Sequence, residues 1–278
     1  MLNLLMSTEH KSHIAFTNFE GQKMRVISLV PSLTLTLADL GLDSSELVGR
    51  TPWCIHPKSM VEAVPVVGGT KTPNINKIRN AKPDLVLMDR EENPKHVHDE
   101  LTNLGIKTFV STVERPSDVP NMLIELGQRL GREQRANELA EAIRNELGHC
   151  EQNSGLVVLP LIWHKPLMAV SPRKYSGALL ETCGFQVPDI EPDGNGYPVV
   201  SAEQIKFHAV DGLLLSSEPH EFSKQEGEDI SDAVEAIGGQ RPWTQCIDGE
   251  ALTWFGSHTL TGLRTFKALC KDLKTAGD

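Results

Sequence analysis

No C-x-x-C occurs in this sequence: its five cysteines, Cys54, Cys150, Cys183, Cys246 and Cys270, are scattered and odd in number. That excludes a paired-thiol redox motif and argues against a disulfide framework; free thiols suit a reducing, cytoplasmic compartment. Positive charge is in deficit. Lys and Arg total 27 against 37 Asp and Glu, a formal net charge of −10, which argues against a general nucleic-acid surface because duplex binding depends on neutralising phosphates. No apolar run approaches a transmembrane length, and the opening "MLNLLMSTEHKSHIAF" has neither the basic start nor the full apolar stretch of a secretory signal.

Phosphate-loop chemistry is missing as well. The stretch "VPVVGGTKTPNINKIRNAKPDLVLMDREEN" (64–93) offers Gly68, Gly69, Thr70 and Lys71, but in the wrong order for a Walker loop, and Pro73 follows. Gly68–Gly69 is a bare pair and not a dinucleotide fingerprint, so it reads as a turn. There is no G-x-S-x-G elbow to mark an activated nucleophile, and Cys54 near His56 in sequence says nothing of distance in space.

What is present is an alternation of strands and helices. "RVISLV" (25–30) reads as a buried strand, followed by an apolar helix over "LTLTLADLG". "DLVLM" (84–88) and "IKTFV" (106–110) are further strands, with a helix over 93–105 between them. Such alternation builds a parallel α/β sheet. From Ser117 to about Cys150 the apolar spacing is helical, interrupted only near Gly131, which gives one long helix or two joined ones. "GLVVLPLIW" (155–163) then starts a second set. The expected organisation is an extension (1–23), an N-terminal α/β lobe (24–116), a bridging helix (117–150) and a C-terminal α/β lobe (151–278), each lobe with a mostly parallel sheet and a ligand cleft between them.

An internal repeat supports two lobes. "NINKIRNAKPDLVLMDREEN" (74–93) lies over "SAEQIKFHAVDGLLLSSEPH" (201–220) without a gap, matching Ile78 to Ile205, Asp84 to Asp211 and Glu91 to Glu218. Each lobe then carries a short helix, a strand and an acidic loop at the strand's carboxyl end, where open α/β sheets bind ligands.

Glu91, Glu92 and Glu218 are therefore candidate ligand-binding residues, either hydrogen-bonding a ligand rim or acting as a carboxylate pair; solvated surface carboxylates are the plain alternative. Trp53, Trp163 and Trp254 each stand beside a histidine (His56, His164 and His258) and suit a cleft wall, with core packing the competing role. The run containing Lys165, Arg173, Lys174 and Tyr175 adds polar donors, mostly in an exposed loop. No two of His56, His164 and His258 have metal-ligand spacing, and His96 and His98 point apart on a helix. No protein-built metal site and no cofactor are expected, although the histidines are compatible with touching a metal already held in a chelate.

"RVISLVPSLT", "DLGLDSSELVGRTPWCIHP", "VPVVGGTK…NINKIRNAKPDLVL" and "YSGALLETCGF…YPVVSAEQI" together resemble the cobalamin-binding and iron-siderophore-binding proteins, over about residues 24–273. The resemblance implies two α/β lobes on a rigid backbone helix, a ligand held between them with little hinge motion, and delivery to an ATP-driven importer. The cobalamin branch looks closest, with an aromatic at Trp53 and the pair Trp254–Phe255; with these, the expected ligand residues are Trp53, Glu91, Glu92, Trp163, Tyr175, Glu218, Trp254, Phe255 and His258. Family members dock their permease through one glutamate on each lobe; Glu203 matches the second, but Asn76 stands where the first would be, so no salt bridge forms there. The resemblance implies an extracytoplasmic protein, in tension with the free thiols. The reading is a monomeric, non-catalytic binding protein for cobalamin or another metal chelate, with an intracellular enzyme or accessory protein of the same fold, or a scaffold with an empty cleft, as the alternatives.

Overall fold

The computed structural model describes residues 23–149 and 153–277. Residues 1–22, nearly all of the expected N-terminal extension, and Cys150 lie outside the described residues. Two four-stranded sheets organise the rest.

In the first lobe, β1 (Val26–Ser28) leads into α1 (Pro31–Asp39), which opens on a proline whose fixed φ suits the first helical turn. Then follow β2 (Leu47–Arg50), the short α2 (Lys58–Val61), α3 (Ile75–Asn80), β3 (Leu85–Asp89), α4 (Lys95–Asn103) and β4 (Thr108–Ser111). The strands are all parallel in the order β2-β1-β3-β4. Because β1 and β3 are covered on both faces, they read as unbroken apolar runs.

The helical segment after β4 is a pair. A 3-10 turn at Pro116–Asp118 opens α5 (Val119–Leu130), which stops at Gly131 in the left-handed conformation (φ 65°), and α6 (Glu133–Gly148) folds back along it. The Arg144 guanidinium near the end of α6 reaches the Asn121 side chain near the start of α5 at 3.1 Å. Of the two arrangements the sequence leaves open, two joined helices is the one that forms, and α6 carries the chain over to the second sheet.

The second lobe contains β5 (Val158–Trp163), β6 (Met168–Ala169), α7 (Tyr175–Thr182), α8 (Ala202–Phe207), β7 (Gly212–Ser216), α9 (Lys224–Ala236) and β8 (Trp243–Ile247). Its order is β6-β5-β7-β8, parallel except for β6. The chain ends with α10 (Gly249–Thr253), a 3-10 turn at Gly256–His258 and α11 (Thr259–Gly277).

The repeat holds in detail. Asn74 and Ser201 each cap their short helix, accepting from the backbone N–H of Lys77 (3.0 Å) and Gln204 (3.4 Å). Ile78 and Ile205 are the buried residues of α3 and α8. Lys82 and Ala209 share a positive φ of 45° and 47°. Asp84 and Asp211 each accept, at 2.8 Å, the N–H of the residue entering the first strand of their lobe, Arg25 and Val157.

Among the described residues, three apolar clusters hold the molecule. One lies on the outer face of the first sheet (Ile27, Ile78, Val86, Leu101) and one on the outer face of the second (Leu159, Ile205, Leu213, Val234). The largest belongs to both lobes, joining Val26, Leu33 and Leu37 to Leu123 and Ile143 of the helical pair and to Val158, Leu179, Phe255, Leu263 and Phe266. At its edge Gly256 (φ 91°) lies so close to α1 that a Cβ would stand 2.2 Å from the Thr36 hydroxyl. That hydroxyl accepts the Ser257 N–H at 3.1 Å.

Candidate functional site

The carboxyl ends of β1, β2 and β3 and those of β5 and β7 carry the loops that face each other between the lobes. In the first lobe β3 ends at Asp89, which is buried; its Oδ1 accepts the backbone N–H of Glu91 (2.9 Å) and Glu92 (3.1 Å) and its Oδ2 accepts the Ser111 hydroxyl at 2.6 Å. Burial raises the Asp89 carboxyl, against the pull of these donors. Asn93 accepts the Asp89 N–H (2.8 Å) and donates to the Thr70 carbonyl (2.9 Å). The Gly68–Gly69 turn is thus lashed to the acidic loop and serves as its support.

Glu91 reaches into the other lobe. Its carboxylate pairs with the Lys174 ammonium at 2.9 Å and accepts the Tyr197 hydroxyl, while Lys174 also stands 5.0 Å from the centre of the Tyr197 ring. Burial, then the hydrogen bond to Glu91, pushes the Tyr197 phenol well above its ordinary range. Glu92, next along the acidic loop, is exposed. Loss of water raises its carboxyl, Lys71 lowers it, and the charges of Asp89, Glu91 and Glu218 raise it further. The contact between the lobes at this acidic loop is the one Glu91 makes to Lys174 and Tyr197.

In the second lobe Glu218 follows β7 and accepts the Thr253 hydroxyl (2.8 Å) and the Trp254 indole N–H (2.9 Å) on one oxygen. Burial raises this carboxyl too. The Trp254 ring meets the edges of His56 (5.8 Å) and His258 (6.0 Å). His56 crosses between lobes to Glu250 at 3.3 Å, and burial lowers the pKa of His258, whose Nε2 has no hydrogen-bond partner among the described residues.

The expected ligand residues therefore separate into two groups. Trp53 (65% exposed), Trp163 (42% exposed), Glu91, Glu92 and Glu218 reach the surface at the carboxyl ends of the strands. Trp254 and Phe255, each 7% exposed, are wall material packed behind that surface. Tyr175 departs further from expectation: it is buried in the shared core with its hydroxyl bonded to Thr259 at 2.9 Å and its ring edge-on to Phe255. Burial pushes the Tyr175 phenol upward. Glu203 is exposed in the first turn of α8 and Asn76 is exposed at the matching place in α3.

Other positions that converge at the strand ends escape sequence reasoning. Tyr197 stands just before "PVVSAEQI", and Lys174 belongs to the polar run judged an open loop; nothing in either stretch signals that both converge on Glu91. The one traceable signal is the repeat, which marks the glutamate they share. His164 Nδ1 and His220 Nε2 both contact Glu226 Oε1, at 2.8 and 3.2 Å, although no short spacing links the three. The Glu226 carboxyl is held down to about 2, chiefly by the Ser223 backbone N–H.

Comparison with known proteins places this architecture. The chain is 25% identical over 206 residues to a vitamin B12-binding protein of Pectobacterium carotovorum, covering 72% of this chain and 73% of that one. It is 32% identical over 197 residues to a vitamin B12-binding protein of Yersinia pestis, 69% of each chain. Among solved structures, the periplasmic vitamin B12-binding protein BtuF of Vibrio cholerae aligns with a TM-score of 0.71 at 20% identity, over 89% of this chain and 96% of that one. A periplasmic heme-binding protein of Pseudomonas aeruginosa aligns at 0.73 with 18% identity, over 89% and 92%. The periplasmic binding protein family matches residues 26–244, and the chain belongs to it.

Proposed function

We propose that the chain is a substrate-binding protein that holds cobalamin or a related metal chelate between its lobes and serves an ABC-type importer. The observation that carries the reading is the bridge from the first lobe's acidic loop to the second lobe, Glu91 to Lys174 and Tyr197, at the carboxyl ends of two sheets that also present Trp53 and Trp163. Exposed indoles suit the flat, bulky body of a corrin or porphyrin, and carboxylates suit amide or hydroxyl donors at its rim. The names of the curated relatives favour the corrinoid; the heme-binding neighbours share the fold. The family is one of binding proteins rather than enzymes, and the chain carries no catalysis of its own.

The shared core and the Thr36–Ser257 contact favour little hinge motion, so binding adjusts loops more than lobes. Before a large ligand enters, Glu91 gives up its cross-lobe partners Lys174 and Tyr197. Importer docking uses Glu203, while the uncharged Asn76 at the matching place makes that docking asymmetric, and the protein acts as a monomer. Titration with cyanocobalamin, hemin and a ferric chelate tests the reading. Tryptophan emission is expected to be quenched by cobalamin, and Glu218→Gln is expected to weaken binding with the ligand recovered unaltered. Absence of binding to all three sinks the proposal.

A further inference from the structure

The side chains of His164, His220 and Glu226 converge at one place on the second lobe, and nothing in the proposed ligand binding uses them. One ligand atom from each lies within 4.8 Å of the others. His164 directly follows β5, His220 stands in the loop after β7, and Glu226 opens α9, so the cluster joins three elements at the carboxyl edge of the sheet. Glu226 is held by its other oxygen, which accepts the Ser223 N–H (2.8 Å) and hydroxyl (2.9 Å) as part of the α9 cap. Phe222 is buried against both imidazoles, with ring centres 6.0 Å from His164 and 4.7 Å from His220.

We propose that His164, His220 and Glu226 bind a borderline divalent transition metal, Zn²⁺ or a neighbour of it, at a site separate from the ligand held between the lobes. Two imidazole nitrogens and one carboxylate oxygen form a donor set suited to that class, whereas Mg²⁺ and Ca²⁺ want mostly oxygen. The present separations of 2.8 and 3.2 Å to the shared carboxylate oxygen open to about 3.3 Å, the spacing of tetrahedral ligands around Zn²⁺ at its usual bond lengths, and the two imidazole nitrogens, within 4.8 Å of each other, settle to the same spacing by small side-chain rotations. The anchoring of Glu226 by Ser223 is the outer support that metal-binding carboxylates commonly have. All three side chains are half-buried, so one side stays open for water or an added donor. The ion ties the loop after β7 to the end of β5. Glu218 stands two residues before His220 on that loop, so the metal also steadies a carboxylate facing the cleft.

The test uses the metal alone on the full chain, stripped with a chelator beforehand. Calorimetry with ZnCl₂ is expected to show one site that survives in a variant lacking His96 and His98, and Co²⁺ is expected to give visible absorption bands of low-coordinate geometry. Trp163, whose ring centre is 6.2 Å from His220, is expected to be quenched by the paramagnetic ion. His164→Ala and His220→Ala should each weaken binding more than about 100-fold, beyond the range typical of outer-shell changes. Glu226→Gln serves as the variant certain to keep its helix cap, because glutamine also completes a capping box, and it should weaken binding at least about 10-fold. Wild-type protein that takes up no ion, or cobalt bands unchanged in Glu226→Gln and in the double histidine variant, overturns the site.

Discussion

Asp89 and Ser216 occupy the same place in the two lobes, the last residue of the central strand, and each turns its chain by accepting the N–H of the glutamate two residues on, at 2.9 Å to Glu91 and 3.2 Å to Glu218. Beyond that shared device the loops diverge. The first lobe uses a buried charge and sends its glutamate across the cleft to Lys174 and Tyr197. The second uses a neutral hydroxyl and ties its glutamate to Thr253 and Trp254 of its own lobe, then adds the histidine cluster. The backbone plan is duplicated while the chemistry at its ends is not. A cleft built this way can present one acidic rim to a ligand while its two sides are held by unrelated contacts.

The shared core gives the sharpest way to break the comparison. Phe266 is fully buried in the cluster common to both lobes, and Phe266→Ala is expected to cost about 3–5 kcal/mol. Both lobes should then lose stability together in one thermal transition; two resolved transitions would show that each lobe stands alone. A smaller test compares equivalent residues. Asp84→Ala and Asp211→Ala each remove the same bond to a strand-entering N–H, so each should destabilise by about 1–2 kcal/mol. Chemical denaturation giving very different values would break the symmetry of the repeat.

Function separates the tryptophans. Trp53→Ala is expected to weaken cobalamin binding by about 0.5–1.5 kcal/mol with the melting temperature unchanged, since the ring is exposed. Trp254→Ala should instead lower the melting temperature, because that ring is buried. The smallest effect concerns Glu92. Its carboxyl is raised in the fold, so the unfolded chain ionises first as pH rises and the ionised glutamate opposes folding at neutral pH. Glu92→Gln is expected to raise the melting temperature slightly at pH 7, and that gain should shrink as pH falls toward the ordinary carboxylate range. A gain independent of pH would remove the carboxylate from the account.

The sequence by itself determined the α/β alternation, the repeat from Asn74 and Ser201 through Glu91 and Glu218, and the acidic loops at the strand ends. These follow from local patterns: cap residues, apolar runs, and side chains bonding to backbone a few positions away. Tertiary structure decided the rest. The helical pattern over 117–150 could not show that α6 folds back on α5, because periodicity marks an apolar face without naming what covers it. It could not assign Tyr175 to the core, since its partner Thr259 lies 84 residues away. Nor could it join Glu91 to Lys174 and Tyr197 across the cleft, or His164 to His220 and Glu226 within the second lobe. Those contacts arise where strand ends from distant parts of the chain are brought side by side, and the spacing along the chain carries no record of that distance.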